Sequence, residues 1–134
     1  MQRIRATMSA MARNRMRTGR WGEALAERYL TGRGDTVLAR NWRPPRPARG
    51  ELDLVLQRGD VIVFVEVRAR HGLAFGAPEE TVTARKRARL IEASQAFLDA
   101  RGLNAQSWQI DFVAIEFDAR NCVTRLTLIE HAIC

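Results

Sequence analysis

The clearest pattern of apolar and polar positions runs from Gly50 to Arg70, GELDLVLQRGDVIVFVEVRAR. Two runs of apolar and β-branched residues flank Gly59-Asp60, a two-residue turn signal, and predict a β-hairpin. With that turn as the loop, Arg58 pairs with Val61. Counting outward sets Asp53 opposite Glu66 and Glu51 opposite Arg68. Side chains alternate along a strand, so Leu52, Leu54 and Leu56 share an apolar face with Val63, Val65 and Val67. Val55, Ile62 and Phe64 share the other face with Glu51, Asp53, Glu66 and Arg68. A one-residue slip would put Glu66 among the leucines, which burial disfavours.

The flanking segments alternate between helix and strand periods. Trp21, Ala24, Leu25, Arg28 and Tyr29 recur at spacings of three and four and predict a helix from about Thr18, stopped by Gly32 and Gly34. Thr36 to Trp42 predicts a short edge strand. Arg43 to Arg49, RPPRPAR, is an extended loop that proline keeps out of helix. Beyond the hairpin, His71 to Pro78 is a glycine-punctuated loop. A second helix is predicted from about Thr83 to Ala100, with Thr83 as N-cap and Gly102 past its end. Its stripe of Leu90, Ile91, Ser94, Phe97 and Leu98 suits the leucine and valine face of the hairpin. Trp108 to Phe117 predicts an interior strand beside the hairpin. Arg125 to Glu130 predicts a shorter edge strand after the Asp118 to Cys122 turn. The order α-β-β-β-α-β-β implies an α/β fold with a mixed central sheet flanked by helices.

Composition narrows the class. At 134 residues, 46% hydrophobic and 28% charged, the chain reads as one soluble domain with a real core. It has no apolar run of membrane-spanning length and no secretory h-region. Cys122 and Cys134 lack metal-ligand spacing, and only His71 and His131 accompany them, which argues against a disulfide framework and a zinc site and favours a cytoplasmic home. The formal charge of +7 suggests nucleic acid, but six arginines fall in residues 1–20 with no acid among them, and the remainder is close to neutral. Residues 1–17 are therefore expected to be a disordered basic extension and residues 18–134 the folded domain.

The chemistry concentrates on the hairpin. Like charges directly opposite on paired strands repel, so Asp53 against Glu66 needs a partner. Arg68 could neutralise the pair as a structural ion cluster, or a divalent cation could sit between the carboxylates, since fixed oxygen donors suit Mg²⁺. Glu23 and Glu27 share a flank of the first helix, and one of them can reach the acidic end of the sheet. Arg43, Arg46 and Arg49 precede the acidic strand and could line the approach of a phosphate backbone or simply keep a surface loop soluble. Arg85, Lys86, Arg87 and Arg89 crowd the first two turns of the second helix, where cations oppose the helix dipole. They suit phosphate or a solvated face paired with Glu79, Glu80 and Glu92. Trp42 could stack on a base or pack in the core. His71 reads as an exposed loop histidine ahead of a general acid.

Gly50-Glu51-Leu52-Asp53 followed by Val63-Phe64-Val65-Glu66-Val67-Arg68 resembles the acidic and Glu-X-Lys motifs of restriction-endonuclease-like nucleases, the PD-(D/E)XK fold. More narrowly, the chain is similar to the bacterial YraN-like (UPF0102) family from about Gly22 to Phe117. The likeness includes Gly22-Glu23, Thr81-Val82-Thr83 with Lys86, and Asp111-Phe112-Val113. It implies Asp53 and Glu66 as ligands of Mg²⁺ or Mn²⁺, Glu23 as the first-helix glutamate that similar junction-resolving nucleases add, and Arg68 at the lysine position. Glu51 and Asp111 are possible supporting acids, Asp111 as a structural acid near Arg68. Arg68 departs from the family pattern, because arginine stays protonated and cannot act as a base; it would hold a phosphate instead.

These readings point to a metal-dependent endonuclease on nucleic acid, DNA ahead of RNA, with branched DNA as one candidate substrate. The chain would act as a monomer or homodimer without a membrane. The alternative is a nucleic-acid-binding module, or an adaptor, of the same fold whose catalysis has lapsed.

Overall fold

The computed structural model describes residues 11–71 and 82–133. The elements are α1 (Met11–Gly32), β1 (Thr36–Trp42), β2 (Leu52–Arg58), β3 (Val61–His71), α2 (Ala84–Arg101), β4 (Ser107–Phe117) and β5 (Val123–Ile133). The α-β-β-β-α-β-β order matches the expectation. α1 starts earlier than Thr18, because Met11 to Thr18 contains neither Gly nor Pro to stop it. The start of the basic extension, most of the His71 to Pro78 loop, Glu79, Glu80, Thr81 and Cys134 lie outside the described residues.

Five strands form one sheet in chain order, β1-β2-β3-β4-β5. Only β3 and β4 run parallel, and α2 makes the crossover that a parallel pair requires. The hairpin turn is as predicted, with Arg58 against Val61 and a regular ladder to Leu54 against Val65. Gly59 takes φ +60° and Asp60 keeps a negative φ, as in a type II′ turn. β1 and β5 are the edges, and β5 is longer at both ends than Arg125 to Glu130. His71 ends β3 instead of opening a loop, and its Nε2 is hydrogen-bonded to Oδ1 of Asn121.

Each face of the sheet carries one helix. α1 covers Leu54, Leu56, Val63 and Val65, with Val113, Ile115 and Phe117 of β4. α2 covers Val55, Ile62, Phe64, Ile110 and Phe112. This reverses the expected match, in which the α2 stripe met the leucine and valine face. Leu52 also changes sides and packs with the α2 group, since the β2–β3 ladder ends at Leu54. On α2, Leu90, Ala93, Ser94, Phe97 and Leu98 are buried and Ile91 is half-buried. Thr83 caps the helix by accepting from the Lys86 N–H at 3.1 Å, and Gly102 closes it with φ +65°.

The α1 face is rotated from the aromatic stripe that its periodicity suggested. Gly22, Ala26 and Leu30 are buried, while Ala24, Arg28 and Tyr29 are exposed. Close approach explains this choice: a Cβ on Gly22 would lie 3.0 Å from Cβ of Ala69, so the helix seats on β3 through its smallest side chains. On the opposite face Trp42, Phe97, Phe64 and Trp108 form an edge-on run with centroid spacings of 5.2, 5.8 and 5.8 Å. Trp42, half-buried, thereby packs its ring against the core.

Candidate functional site

β3 continues past the point where β2 stops pairing with it, and this leaves a notch in the sheet. Asp53 stands at the notch. The regular ladder ends one step before the expected Asp53–Glu66 pair. Asp53 instead uses Oδ2 to accept the main-chain N–H of Val67 at 2.8 Å. Burial, and next the charge of Glu66, push its carboxyl up to about 7; Glu23 adds to the rise, while the Val67 bond and Lys86 oppose it. Glu66 is 6% exposed, with Oε1 3.1 Å from Nζ of Lys86 and Oε2 buried without a hydrogen-bond partner.

α1 brings Glu23 into the same field. Burial raises its pKa first, followed by the charges of Glu51 and Glu66. Its Oε1 is also buried without a partner, as is Nε of Arg68. Glu27, the other acid on the flank, turns away and binds the Arg40 guanidinium at 2.6 and 2.9 Å, which lowers its pKa. The expected Glu51–Arg68 pair is absent, and Glu51 faces Nη2 of Arg43 at 3.3 Å.

A cleft of about 250 Å³ adjoins these acids, lined by Arg43, Gly50, Glu51, Lys86, Arg89 and Leu90. Gly50 shapes its wall, with φ +106°. A Cβ there would lie 2.9 Å from the carbonyl oxygen of Arg89, so the loop can run this close to α2 only with glycine. Of the basic residues singled out from sequence, Arg43, Lys86 and Arg89 thus share one cleft. Arg46, Arg49 and Arg85 are exposed on the same loop and helix but do not line it. Glu92 accepts the Arg49 N–H at 3.3 Å.

Asp111 belongs elsewhere. It is fully buried on β4 and lies 3.0 Å from Nη1 of Arg58, not beside Arg68 as expected. Arg58 also binds Asp35 at 2.8 Å and Glu130 at 2.9 Å, while Gln109 and the His131 N–H satisfy the other oxygen of Asp111. Asp35, whose hydrogen bonds act most, and Asp111 raise the Arg58 pKa against the opposing effect of burial. This is an ion network at the hairpin-turn end of the sheet.

Residues 22–115 match the family described as Uncharacterised protein family UPF0102. The chain belongs to that family. A UPF0102 protein of Dehalococcoides mccartyi is 39% identical, over 92% of this chain and 98% of its own length. One from Roseiflexus castenholzii is 46% identical over 82% and 87%, and one from Nocardioides is 43% identical over 81% and 86%. The UPF0102 match spans Glu23, Asp53, Glu66, Arg68 and Lys86, and the mixed sheet agrees with the endonuclease-like fold that the motifs imply. No described helix is long and apolar enough to cross a membrane.

The donor set fits a hard divalent cation. It offers carboxylate oxygens on rigid elements, two of them buried and unpartnered, and held against mutual repulsion. Among the described residues no three Asp, Glu, His or Cys side chains converge as a finished metal cage. The counter-charge at Glu66 is Lys86, which the sequence suited to a phosphate backbone or to a solvated face. Its helical period puts it on the exposed N-terminal end of α2, and nothing local in the sequence marks its reach to β3.

Proposed function

We propose that this protein is a metal-dependent phosphodiesterase acting on nucleic acid, DNA ahead of RNA. The observation that carries the reading is the set of unpartnered oxygens on Glu23 and Glu66, beside Asp53, at the edge of a cleft with three basic residues. Asp53 and Glu66 would hold Mg²⁺ or Mn²⁺, and Glu23 would complete the set. The cation would supply a bound water of lowered pKa. The chain's own residues do the rest. Arg43 and Arg89 grip phosphates of the strand entering the cleft, and exposed Arg46, Arg49 and Arg85 extend that grip along the backbone. Arg68, two residues beyond Glu66 on β3, adds positive charge to this end of the sheet.

A second reading, a binding module without turnover, draws on Arg68, which cannot accept a proton. A cleavage assay separates the two. Labelled single-stranded, duplex and branched DNA and RNA are incubated with Mg²⁺, Mn²⁺ or EDTA. Metal-dependent products are expected, and these vanish in Asp53→Ala and Glu66→Ala proteins that remain folded by circular dichroism. Unchanged cleavage in both variants removes the mechanism; binding without cleavage on every substrate favours the module.

A further inference from the structure

Arg68 and Lys86 differ in what they touch. Nε of Arg68 is buried without a partner, and Arg68 does not line the cleft. Lys86 does both jobs at once. Its ammonium is 3.1 Å from Oε1 of Glu66, while its side chain, 40% exposed, forms part of the cleft wall with Arg43 and Arg89. The position is fixed from below, because the Thr83 cap holds the Lys86 N–H at 3.1 Å and sets the first turn of α2. A four-carbon stem with a point charge can then swing between two anions without moving the helix.

From this geometry we propose that Lys86, not Arg68, is the cation that contacts the scissile phosphate, and that it alternates between Glu66 and a phosphate seated in the adjoining cleft. The inference rests on the reading of Asp53 and Glu66 as cation ligands. While Glu66 has no divalent cation, Lys86 neutralises it. When a doubly charged ion takes Glu66, Lys86 loses its reason to stay. Its charge is then repelled toward the cleft, where Glu51 is already matched by Arg43 at 3.3 Å and a substrate phosphate is the anion left to meet it. At about 250 Å³ the cleft is smaller than the roughly 300–1,000 Å³ that encloses a drug-sized ligand. It suits one phosphate with its attached sugar, from a single strand laid along the notch. One residue in this way couples metal loading to substrate grip.

The test uses the full chain as wild type, Lys86→Met, Lys86→Arg and Arg68→Met, each checked for folding by thermal melting. Binding of a fluorescent single-stranded DNA oligonucleotide is measured across a salt series, once in EDTA and once in Ca²⁺, with strand integrity confirmed on a gel. Each phosphate contact contributes about 0.7 to the slope of log K against log salt on a single strand. In Ca²⁺ the slope for Lys86→Met is expected to be shallower than wild type by about that amount. In EDTA the two coincide, since Lys86 is then held by Glu66. Lys86→Arg keeps the wild-type slope. Calorimetry is expected to show Ca²⁺ binding about two- to fivefold tighter in Lys86→Met, because a competing cation has gone. Equal slopes in Ca²⁺, or unchanged or weaker Ca²⁺ binding, overturn the proposal. A shallower slope in Arg68→Met alone returns the phosphate contact to Arg68. Mg²⁺-dependent cleavage by the wild type is scored separately. Its absence removes the nuclease reading, and its persistence at the wild-type rate in Lys86→Met removes only the role of Lys86.

Discussion

The main-chain N–H of Val67 donates to Oδ2 of Asp53 at 2.8 Å, in the place where β2 would otherwise have continued the ladder. A side chain thus caps a stretch of β3 that β2 leaves unpaired, and its carboxylate is pinned beside Glu66. The bond favours the ionised acid, whereas burial and the Glu66 charge oppose it more strongly. An acid held in place against its own electrostatics stabilises any cation that reaches it.

Mg²⁺ is expected to raise the melting temperature of the wild type and leave that of an Asp53→Asn, Glu66→Gln double variant unmoved. A ligand that binds only the folded state stabilises it by about 2.7 kcal/mol at a hundredfold excess over Kd. Differential scanning fluorimetry across a Mg²⁺ series reads the effect. Equal shifts in the two proteins place the ion elsewhere.

Acidity gives an independent handle on Asp53. Its folded pKa is about 7, against an ordinary value of 3.8. Between those values the folded chain keeps a proton that the unfolded chain has lost, so stability falls as pH rises. The penalty is absent below about pH 4 and complete above pH 7. It amounts to about 2 kcal/mol, less than the full shift converts to, since the carboxyl is partly screened by solvent. Without divalent ions, Asp53→Asn flattens the decline of melting temperature between pH 5 and 8. Parallel profiles for the two proteins count against the crowding of these acids.

Arg58→Ala removes the shared partner of Asp35, Asp111 and Glu130, and Asp111 is fully buried. Stranding a buried charge costs about 3–5 kcal/mol. Urea denaturation at neutral pH is expected to show a loss of that size. Arg58→Lys recovers only part of it, because an ammonium cannot reproduce the guanidinium's fork onto three acids. A loss below 1 kcal/mol for Arg58→Ala contradicts the network.

Gly50→Ala is expected to cost about 1–3 kcal/mol, since it forces a side chain into φ +106° and toward the Arg89 carbonyl at 2.9 Å. The loop retreats from α2 to relieve the contact, and the cleft widens. Affinity for single-stranded DNA is expected to fall together with stability, whereas Gly34→Ala, whose Cβ would meet nothing within 4 Å, loses stability alone.

Local chemistry accounts for what was legible before the structure. Gly59-Asp60 set the hairpin turn, Thr83 and Gly102 bounded α2, and alternation placed β1 and β4. Asp53 and Glu66 stood together in the hairpin register, and Glu23 joined them only through the family resemblance. The failures share a cause in long-range contact. Periodicity marks which residues of α1 are apolar, but not that a Cβ at position 22 would lie 3.0 Å from Cβ of Ala69. It cannot say where a ladder stops, so Leu52 was assigned to the wrong face. Asp111 and Arg58 are far apart in the chain, as are Lys86 and Glu66, and no short-range pattern joins either pair.

Because the strands lie side by side in the order of synthesis, a chain emerging from the ribosome can zip each strand onto its predecessor, except at the β3–β4 step. That step waits for α2. Glu23, Asp53 and Glu66 all emerge ahead of Lys86, so the nascent hairpin carries its cluster of acids before the lysine that neutralises one of them exists. Docking of α2 is then the event that both readies β3 for β4 and quenches the charge on Glu66, which ties growth of the sheet to assembly of the site.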